Sequence, residues 1–271
     1  YNQWGSVADL TAFMINIYVE EKVPVSDGSK DRIYEIFGRL AEATEYYPRV
    51  YEAAIQWSIK ALGNGVGDAQ LQHFVGCLQR NKGRYPEAEQ HFLVGTAESP
   101  AALGGLLFDW AACAEAGDYG ACVARGVLKY LAMGWYDAAV LCWRAFMARL
   151  AQAEPGTTAQ RTGDGVPPTK TGPVYRSTAH ELVNFVQLVL LTVERADGSP
   201  SSPAARAFGQ IRGRYEGRFG ENAAAVHDLM DAIAAGYFGV VVQRQQSLFD
   251  IVNTLFAAPA RPAVAGPEGM D

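Results

Sequence analysis

The stretch GRYPEAEQHF, at residues 83–92, decides the fold of this chain. A Gly–Arg–Tyr turn opens it, and Ala88 and Phe92 then follow at a spacing that places them on one face of an α-helix. A shift of 34 residues superposes three tyrosines of the chain, Tyr51, Tyr85 and Tyr119. A period of this length predicts an internal repeat in which the stretch is the second helix of a helical pair.

The period is that of tetratricopeptide-type helix pairs, and the unit around the opening stretch fits this pattern best. Gly76 and Gly83 permit a close helix crossing and the turn between the helices, and Pro100 ends the unit. The next unit keeps Gly117 but has Gly126 where the later aromatic residue belongs. Helices are thus expected to continue at the repeat spacing, although later units match fewer positions of the repeat pattern.

Helical spacing of apolar residues extends over most of the chain. We therefore predict an all-α fold, an α-solenoid of about a dozen helices stacked as pairs in a right-handed superhelix. The predicted helices lie near residues 7–21, 29–40, 51–62, 68–81, 85–96, 101–116, 119–132, 135–151, 177–195, 204–218 and 221–235.

Two stretches break the helical pattern. Residues 154–173 are polar and rich in Pro and Gly, so we expect a mobile loop there, and no alternating strand pattern is visible before the C-terminal region. Residues 237–256 contain three consecutive valines followed by helical spacing, which predicts a short extended or hairpin arm before the last helix. Residues 1–257 are expected to form one domain, and residues 258–271 a disordered tail.

The composition narrows the class of protein. A formal net charge of -6 does not favour binding to nucleic acid or to an anionic membrane, and the longest strongly apolar run, at residues 185–193, is short of the roughly 20 residues that cross a bilayer. The chain begins at Tyr1 inside helical sequence, so we expect its natural N-terminus to lie upstream. Four scattered cysteines are expected to be buried, reduced thiols of a cytoplasmic protein: Cys77, Cys113, Cys122 and Cys142.

Groups that could carry catalysis do not converge in the sequence. Gly63–Gly67 lacks the Lys–Ser/Thr of a phosphate loop, and Ser177 and Ser247 lack the context of a nucleophile elbow. Carboxylate pairs such as Glu87 with Glu89 are expected to be solvated helix faces. Four histidines are expected to stand alone on predicted helices: His73, His91, His180 and His227. We therefore predict no enzyme activity, no cofactor and no metal site.

Stacked helix pairs expose long surfaces and two ends, which suits a protein that holds other proteins. One basic cluster either lines a groove for an acidic partner or is a solvated helix face, and its role stays open. It consists of Arg206, Arg212, Arg214 and Arg218.

Several stretches resemble a known family. SVADLTAFMINIYVEEKVPV at residues 6–25 and DAQLQHFVGCLQRNKGRYPEAEQHF at residues 68–92 look like the middle of the helical scaffold subunit of the tail-anchored protein targeting complex, the Golgi to ER traffic protein 4 family. MDAIAAGYFGV at residues 230–240, followed by SLFDIVNTLF at residues 247–256, resembles the last helices of that family.

The resemblance implies a cytoplasmic adaptor without catalytic activity. Its C-terminal part would bind a ubiquitin-like adaptor protein, and its N-terminal part the homodimeric targeting ATPase that delivers tail-anchored proteins to the endoplasmic reticulum. A tetratricopeptide co-chaperone would be recruited indirectly, through the ubiquitin-like partner. The chain itself would not insert into a membrane. The family's first helices would lie upstream of Tyr1, so no ATPase-contact residues are assigned.

Carried over by position, the resemblance assigns nine residues to docking of the ubiquitin-like partner. The alternative is that they cap the last helix pair, since a terminal unit must cover its apolar side. The extended valine run favours docking, because it offers unpaired backbone groups. The nine are Tyr237, Phe238, Gly239, Val240, Leu248, Phe249, Val252, Leu255 and Phe256.

The principal rival is a tetratricopeptide co-chaperone that clamps the acidic tail of a heat-shock protein. Such a clamp needs basic and amide side chains on the first helices of consecutive units. Arg80, Asn81 and Lys82 occur in one unit, without counterparts one period later. An all-α enzyme of the prenyltransferase type would need a barrel of acidic or metal-binding residues, which the sequence lacks.

Overall fold

The computed structural model describes residues 4–39, 47–114, 117–154, 157–160 and 169–240. Eleven α-helices and two short strands account for most of these residues. The helices are α1 (Trp4–Glu20), α2 (Asp27–Arg39), α3 (Tyr47–Leu62), α4 (Ala69–Asn81), α5 (Tyr85–Leu93), α6 (Ser99–Cys113), α7 (Tyr119–Ala132), α8 (Tyr136–Ala153), α9 (Glu181–Val193), α10 (Pro203–Tyr215) and α11 (Ala223–Phe238).

The opening stretch forms the second helix of a pair, as predicted. The Asp68 carboxylate accepts hydrogen bonds from the first backbone N–H groups of α4, and Gly83 turns the chain into α5 with a φ of 70°. Ala88 and Phe92 are buried on the inner face of α5. A Cβ atom at Gly76 would lie 2.8 Å from the Phe92 ring, which explains why glycine occupies the crossing of α4 over α5.

Successive pairs stack through small residues at the helix crossings, which confirms the predicted α-solenoid. A Cβ atom at Gly104 of α6 would clash with the backbone carbonyl oxygen of Cys142 on α8. A Cβ atom at Gly120 of α7 would lie 2.6 Å from the Cβ of Leu182 on α9. Alternate helices therefore approach each other directly, α6 against α8 and α7 against α9.

A two-stranded antiparallel ribbon corrects the expectation that strands are absent before the C-terminal region. Strand β1 (Thr157–Gln160) pairs with β2 (Val174–Ser177), so structure is present inside and beside the predicted loop at 154–173. Four-residue strands are too short to show a clear alternation. β2 ends at Ser177 and a bend follows it, so α9 begins at Glu181 and not at residue 177 as predicted.

The C-terminal boundary also differs from the expectation. Tyr237 and Phe238 belong to the last turn of α11 rather than to an extended arm. The three valines at 241–243, the predicted final helix and the predicted tail at 258–271 lie outside the described residues.

The buried apolar side chains form two separate clusters. The N-terminal cluster, which includes Ile33, Trp57 and Val75, joins α1, α2, α3 and one side of α4. The C-terminal cluster runs from Ala88 on α5 to Phe238 at the end of α11. The boundary between the two lies along the contact of α4 with α5 and the start of α6.

Polar side chains line this boundary, and we call Gln72, His73, Gln79, His91 and Ser99 the polar seam. The Gln72 side-chain oxygen lies 2.6 Å from Nδ1 of His91, and Nδ1 of His73 lies 2.8 Å from the Ser99 hydroxyl. Gln72, Gln79 and Ser99 are buried. The seam therefore places a layer of hydrogen-bonding groups between two apolar clusters.

Glu89 contradicts the expectation of a solvated carboxylate pair. Only 1% of its side chain is exposed, and its carboxylate accepts hydrogen bonds from the Arg125 Nε at 2.5 Å and the Lys129 Nζ at 2.6 Å. Both cations come from α7, on the facing repeat. The carboxylate can be buried because both of its oxygens accept hydrogen bonds from cationic side chains.

We expect His91 to make folding stability depend on pH. Burial lowers the pKa of its imidazole from 6.5 to about 4, so the unfolded chain binds a proton more readily than the folded chain between these values. The free energy of unfolding should therefore fall as the pH drops from about 6.5 to 4. Urea unfolding of the wild type and of His91→Gln at pH 7.5 and 4.5 tests this. The difference between the two proteins should shift in favour of the variant at pH 4.5, whereas a difference independent of pH would contradict the prediction.

Candidate partner-binding site

Phe238, one of the predicted docking residues, lies in the core. Its side chain is fully buried, and its ring centroid lies 4.8 Å from that of Phe208 on α10. In the described structure the ring therefore seals α11 against α10. This placement favours the capping interpretation for Phe238 over direct contact with a partner.

Gly239 and Val240 determine how the chain leaves α11. Gly239 has a φ of 63°, and the Val240 N–H donates to the Ala234 carbonyl at 3.2 Å, which closes the helix with a left-handed cap. A Cβ atom at Gly239 would lie 2.6 Å from the Gly198 carbonyl oxygen. Val240 is 37% exposed. The turn thus presses the chain onto the α9–α10 loop and leaves Val240 accessible.

Tyr237 lies in the last turn of α11, and its hydroxyl is buried. Burial, together with the Asp137 carboxylate, raises the pKa of Tyr237 to about 12. Burial and the carboxylate of Glu194 raise the pKa of the neighbouring Tyr136. The Lys170 N–H donates to Glu194 at 2.8 Å, and the Lys170 ammonium lies 3.3 Å from Asp137. Lys170 therefore links the segment that precedes β2 to α8 and to the end of α9.

The remaining five predicted docking residues fall outside the described part of the chain, and their assignment stays a prediction. They are Leu248, Phe249, Val252, Leu255 and Phe256.

The ribbon is held on α9 by two amide side chains. Gln187 accepts from the Tyr175 N–H at 2.8 Å and donates to the Tyr175 carbonyl at 3.1 Å. Asn184 accepts from the Ser177 N–H at 2.9 Å and donates to the Ser177 carbonyl at 2.7 Å. The two side chains thus bind one edge of β2 in the way that a neighbouring strand would.

This pairing determines which backbone groups of β1 face away from β2. Since the backbone groups of Tyr175 and Ser177 point toward α9, those of Arg176 and Val174 point toward β1. In this register the backbone groups of Thr157 and Ala159 face away from β2. A strand edge that no other part of a chain covers can pair with an extended segment of a partner.

Sequence reasoning missed Asn184 and Gln187, although a signal was present. They are two polar residues three positions apart in the otherwise apolar helix ELVNFVQLVLLTV. Gln187 is buried, and a buried amide must find hydrogen-bond partners. The partners here are backbone groups of a strand whose existence the sequence did not reveal.

The histidines and cysteines do not assemble a reaction centre within the described ranges. His73 was expected to be isolated, but its Nε2 lies 3.6 Å from the Cys77 sulfur. Burial raises the pKa of the Cys77 thiol, which disfavours the thiolate that a nucleophile requires. Cys113 is exposed rather than buried, and all four cysteines are free. The same ranges contain no group of three or more side chains able to hold a metal ion.

The basic side chains singled out in the sequence are largely engaged within the chain. Arg212 pairs with Asp231, and Arg218 lies 3.2 Å from Glu181. Arg80, the first residue of the rival clamp, bonds the Asp109 carboxylate at 2.7 Å. An internal carboxylate thus occupies the position that an acidic tail would need, which disfavours the clamp.

Paired helices that stack through small residues at their crossings define an α-solenoid protein. In the part of the chain that the structure describes, no helix is long and apolar enough to cross a membrane. The chain belongs to the Golgi to ER traffic protein 4 family, whose model matches residues 1–256.

Relatives and a solved structure agree with this assignment. Golgi to ER traffic protein 4 of Aspergillus fumigatus is 25% identical over 227 residues, which cover 83% of this chain and 62% of that protein. The Dictyostelium discoideum homolog is 23% identical, over 95% of this chain and 72% of that protein. The crystal structure of C. therm. Get4 superposes with a TM-score of 0.76 at 26% identity, over 98% of this chain and 81% of that one. The chain thus spans less than two thirds of the Aspergillus relative.

Proposed function

We propose that this chain is a non-catalytic cytoplasmic scaffold in the post-translational targeting of tail-anchored membrane proteins to the endoplasmic reticulum. Its C-terminal part binds a ubiquitin-like adaptor, and its N-terminal part binds the targeting ATPase. The observation that carries this proposal is membership of the Golgi to ER traffic protein 4 family over residues 1–256. The solenoid supports it, because stacked helix pairs present separate surfaces to separate partners.

The ribbon and the exit from α11 together form the docking surface in this proposal. The outward edge of β1 offers backbone groups near Thr157 and Ala159, and Val240 leads into the segment that contains the remaining predicted docking residues. Lys170, in the segment that precedes β2, contacts Glu194 at the end of α9 and Asp137 on α8.

The double substitution Asn184→Ala and Gln187→Ala is expected to abolish co-purification with the ubiquitin-like partner. It removes the four hydrogen bonds that hold β2 on α9, while the helix pairs keep their apolar contacts. Co-expression and affinity capture measure binding, and far-ultraviolet circular dichroism checks that the helical content is unchanged. Leu188→Ala on the exposed face of α9 is the matched control and should retain binding.

The outcomes separate the docking surface from the function. Full co-purification of the double variant would show that the ribbon is not the docking surface. Failure of the wild type to capture the ubiquitin-like partner from cytosol would contradict the scaffold function itself. Capture of heat-shock proteins that an acidic peptide releases would instead support the clamp.

A further inference from the structure

A short turn before β2, residues 169–172, links the ribbon to the neighbouring helices, and we call it the anchor turn. The Lys170 N–H donates to the Glu194 carboxylate at the end of α9, at 2.8 Å. The Lys170 ammonium lies 3.3 Å from Asp137 at the start of α8 and 5.7 Å from the centre of the Tyr136 ring. The turn therefore contacts both of the helices that the ribbon connects.

Hydrogen bonds within the anchor turn give it a defined shape. The Thr169 hydroxyl donates to the Gly172 carbonyl at 2.9 Å, and the Gly172 N–H donates to the Thr169 carbonyl at 3.1 Å. The Thr171 side chain is buried, and its hydroxyl lies 2.8 Å from that of Thr169. Gly172 has a φ of 85°, a left-handed conformation that favours glycine. The turn is therefore closed by hydrogen bonds on both sides of Lys170.

The chain that contains β2 runs along α9 in the opposite direction to the helix. From the anchor turn onward it meets α9 first at Glu194, then at Gln187 and finally at Asn184. Glu194 and Asn184 lie about 15 Å apart along the helix axis, at 1.5 Å per residue. Chain continuity also holds the end of β2, because α9 begins shortly after it. The start of β2 is reached through the long connection at residues 161–173, so its position depends on Gln187 and on the anchor turn.

This arrangement decides where the ribbon can separate from the helices. Each strand has only four residues, and a two-stranded ribbon on its own is at best marginally stable in water. A hydrogen bond from a backbone N–H to a carboxylate is stronger than one to a neutral acceptor. Loss of this bond therefore frees the start of β2, while the end stays attached to α9.

We infer that the anchor turn keeps the ribbon ordered on α9, with the Glu194 carboxylate as the positioning group for the Lys170 backbone. An ordered strand edge binds an extended segment at a lower entropic cost than a disordered edge. The consequence for partner binding rests on the proposed function, because it takes the ribbon as part of the docking surface. Within the chain itself, the inference predicts a gradient of order along β2.

Amide hydrogen exchange, followed by NMR on the isotope-labelled full chain, tests the inference. Glu194→Ala removes the acceptor of the hydrogen bond from the anchor turn. Exchange at Val174 and Tyr175 should become faster by on the order of tenfold, while Ser177 at the end of β2 should change by less than about threefold. Glu194→Gln keeps an acceptor oxygen and should restore most of the protection.

Two further variants separate the role of this carboxylate from that of charge in general. Glu181→Ala removes an exposed carboxylate from the other end of α9, and it should leave exchange at Val174 and Tyr175 unchanged. Lys170→Met keeps the backbone N–H and removes the ammonium. Its exposed ion pair contributes little, so exchange should change by less than about threefold. Circular dichroism checks that the helical content of each variant is unchanged.

Binding of the ubiquitin-like partner by the same variants separates the inference from the proposed function. Glu194→Ala should weaken co-purification if the ribbon docks the partner, and Glu194→Gln should restore it. Faster exchange with unchanged binding would support the anchor turn and contradict the ribbon as the docking surface. Unchanged exchange at Val174 and Tyr175 in Glu194→Ala would overturn the inference, whatever the effect on binding.

Discussion

Replacing Glu89 with alanine is expected to lower the free energy of unfolding by about 3–5 kcal/mol, because it leaves the buried Lys129 ammonium without its counter-ion. The Lys129 side chain is only 12% exposed, and burial already lowers the pKa of its ammonium group, opposed by Glu89. Without the carboxylate, the folded state must keep this charge in a site of low polarity. Urea unfolding followed by circular dichroism measures the change.

A paired substitution shows whether the loss comes from the stranded charge. Glu89→Leu combined with Lys129→Met removes both buried charges, and it should recover most of the stability because apolar residues can replace a buried ion pair at little cost. Arg125 is 46% exposed and can reach water in this variant. A loss below about 1 kcal/mol for Glu89→Ala would mean that the pair behaves like a surface ion pair.

Glu89 also shows where sequence reasoning stops. The period of the opening stretch and its apolar spacing are local features, and they predicted α4, α5 and the repeated pairing because helical contacts recur every three to four residues. The counter-ions of Glu89 lie 36 and 40 residues along the chain. No local pattern relates residues at that separation. Glu89 and Glu87 were therefore interpreted as part of a solvated helix face.

The ribbon was missed for a related reason. Its four-residue strands contain too few positions to establish an alternation, and composition suggested only a loop. The strand position is determined by Asn184 and Gln187, which act through tertiary contact. The family resemblance assigned Tyr237 to Val240 to docking, and this assignment stays a prediction. It could not predict which of them are exposed, because an apolar residue at a terminal helix suits both a cap and a contact.

Phe238→Ala is expected to lower the free energy of unfolding by about 3–5 kcal/mol, since removing a fully buried ring leaves a cavity. The cavity lies against Phe208, where α10 and α11 close the C-terminal cluster. Val240→Asp is the matched control, because its partly exposed side chain should change stability by no more than about 0.5 kcal/mol. Thermal and urea unfolding of the two variants compare them directly.

Binding measured on the same variants separates docking from capping. If Phe238 only seals the core, Phe238→Ala should still bind the ubiquitin-like partner at temperatures below its own unfolding transition. Val240→Asp should weaken binding without loss of stability, because it places a charge where the chain leaves α11 toward the predicted docking segment. A stable Phe238→Ala protein that has lost binding would instead place the Phe238 ring in the interface, and would require α11 to release that ring from Phe208 when the partner binds.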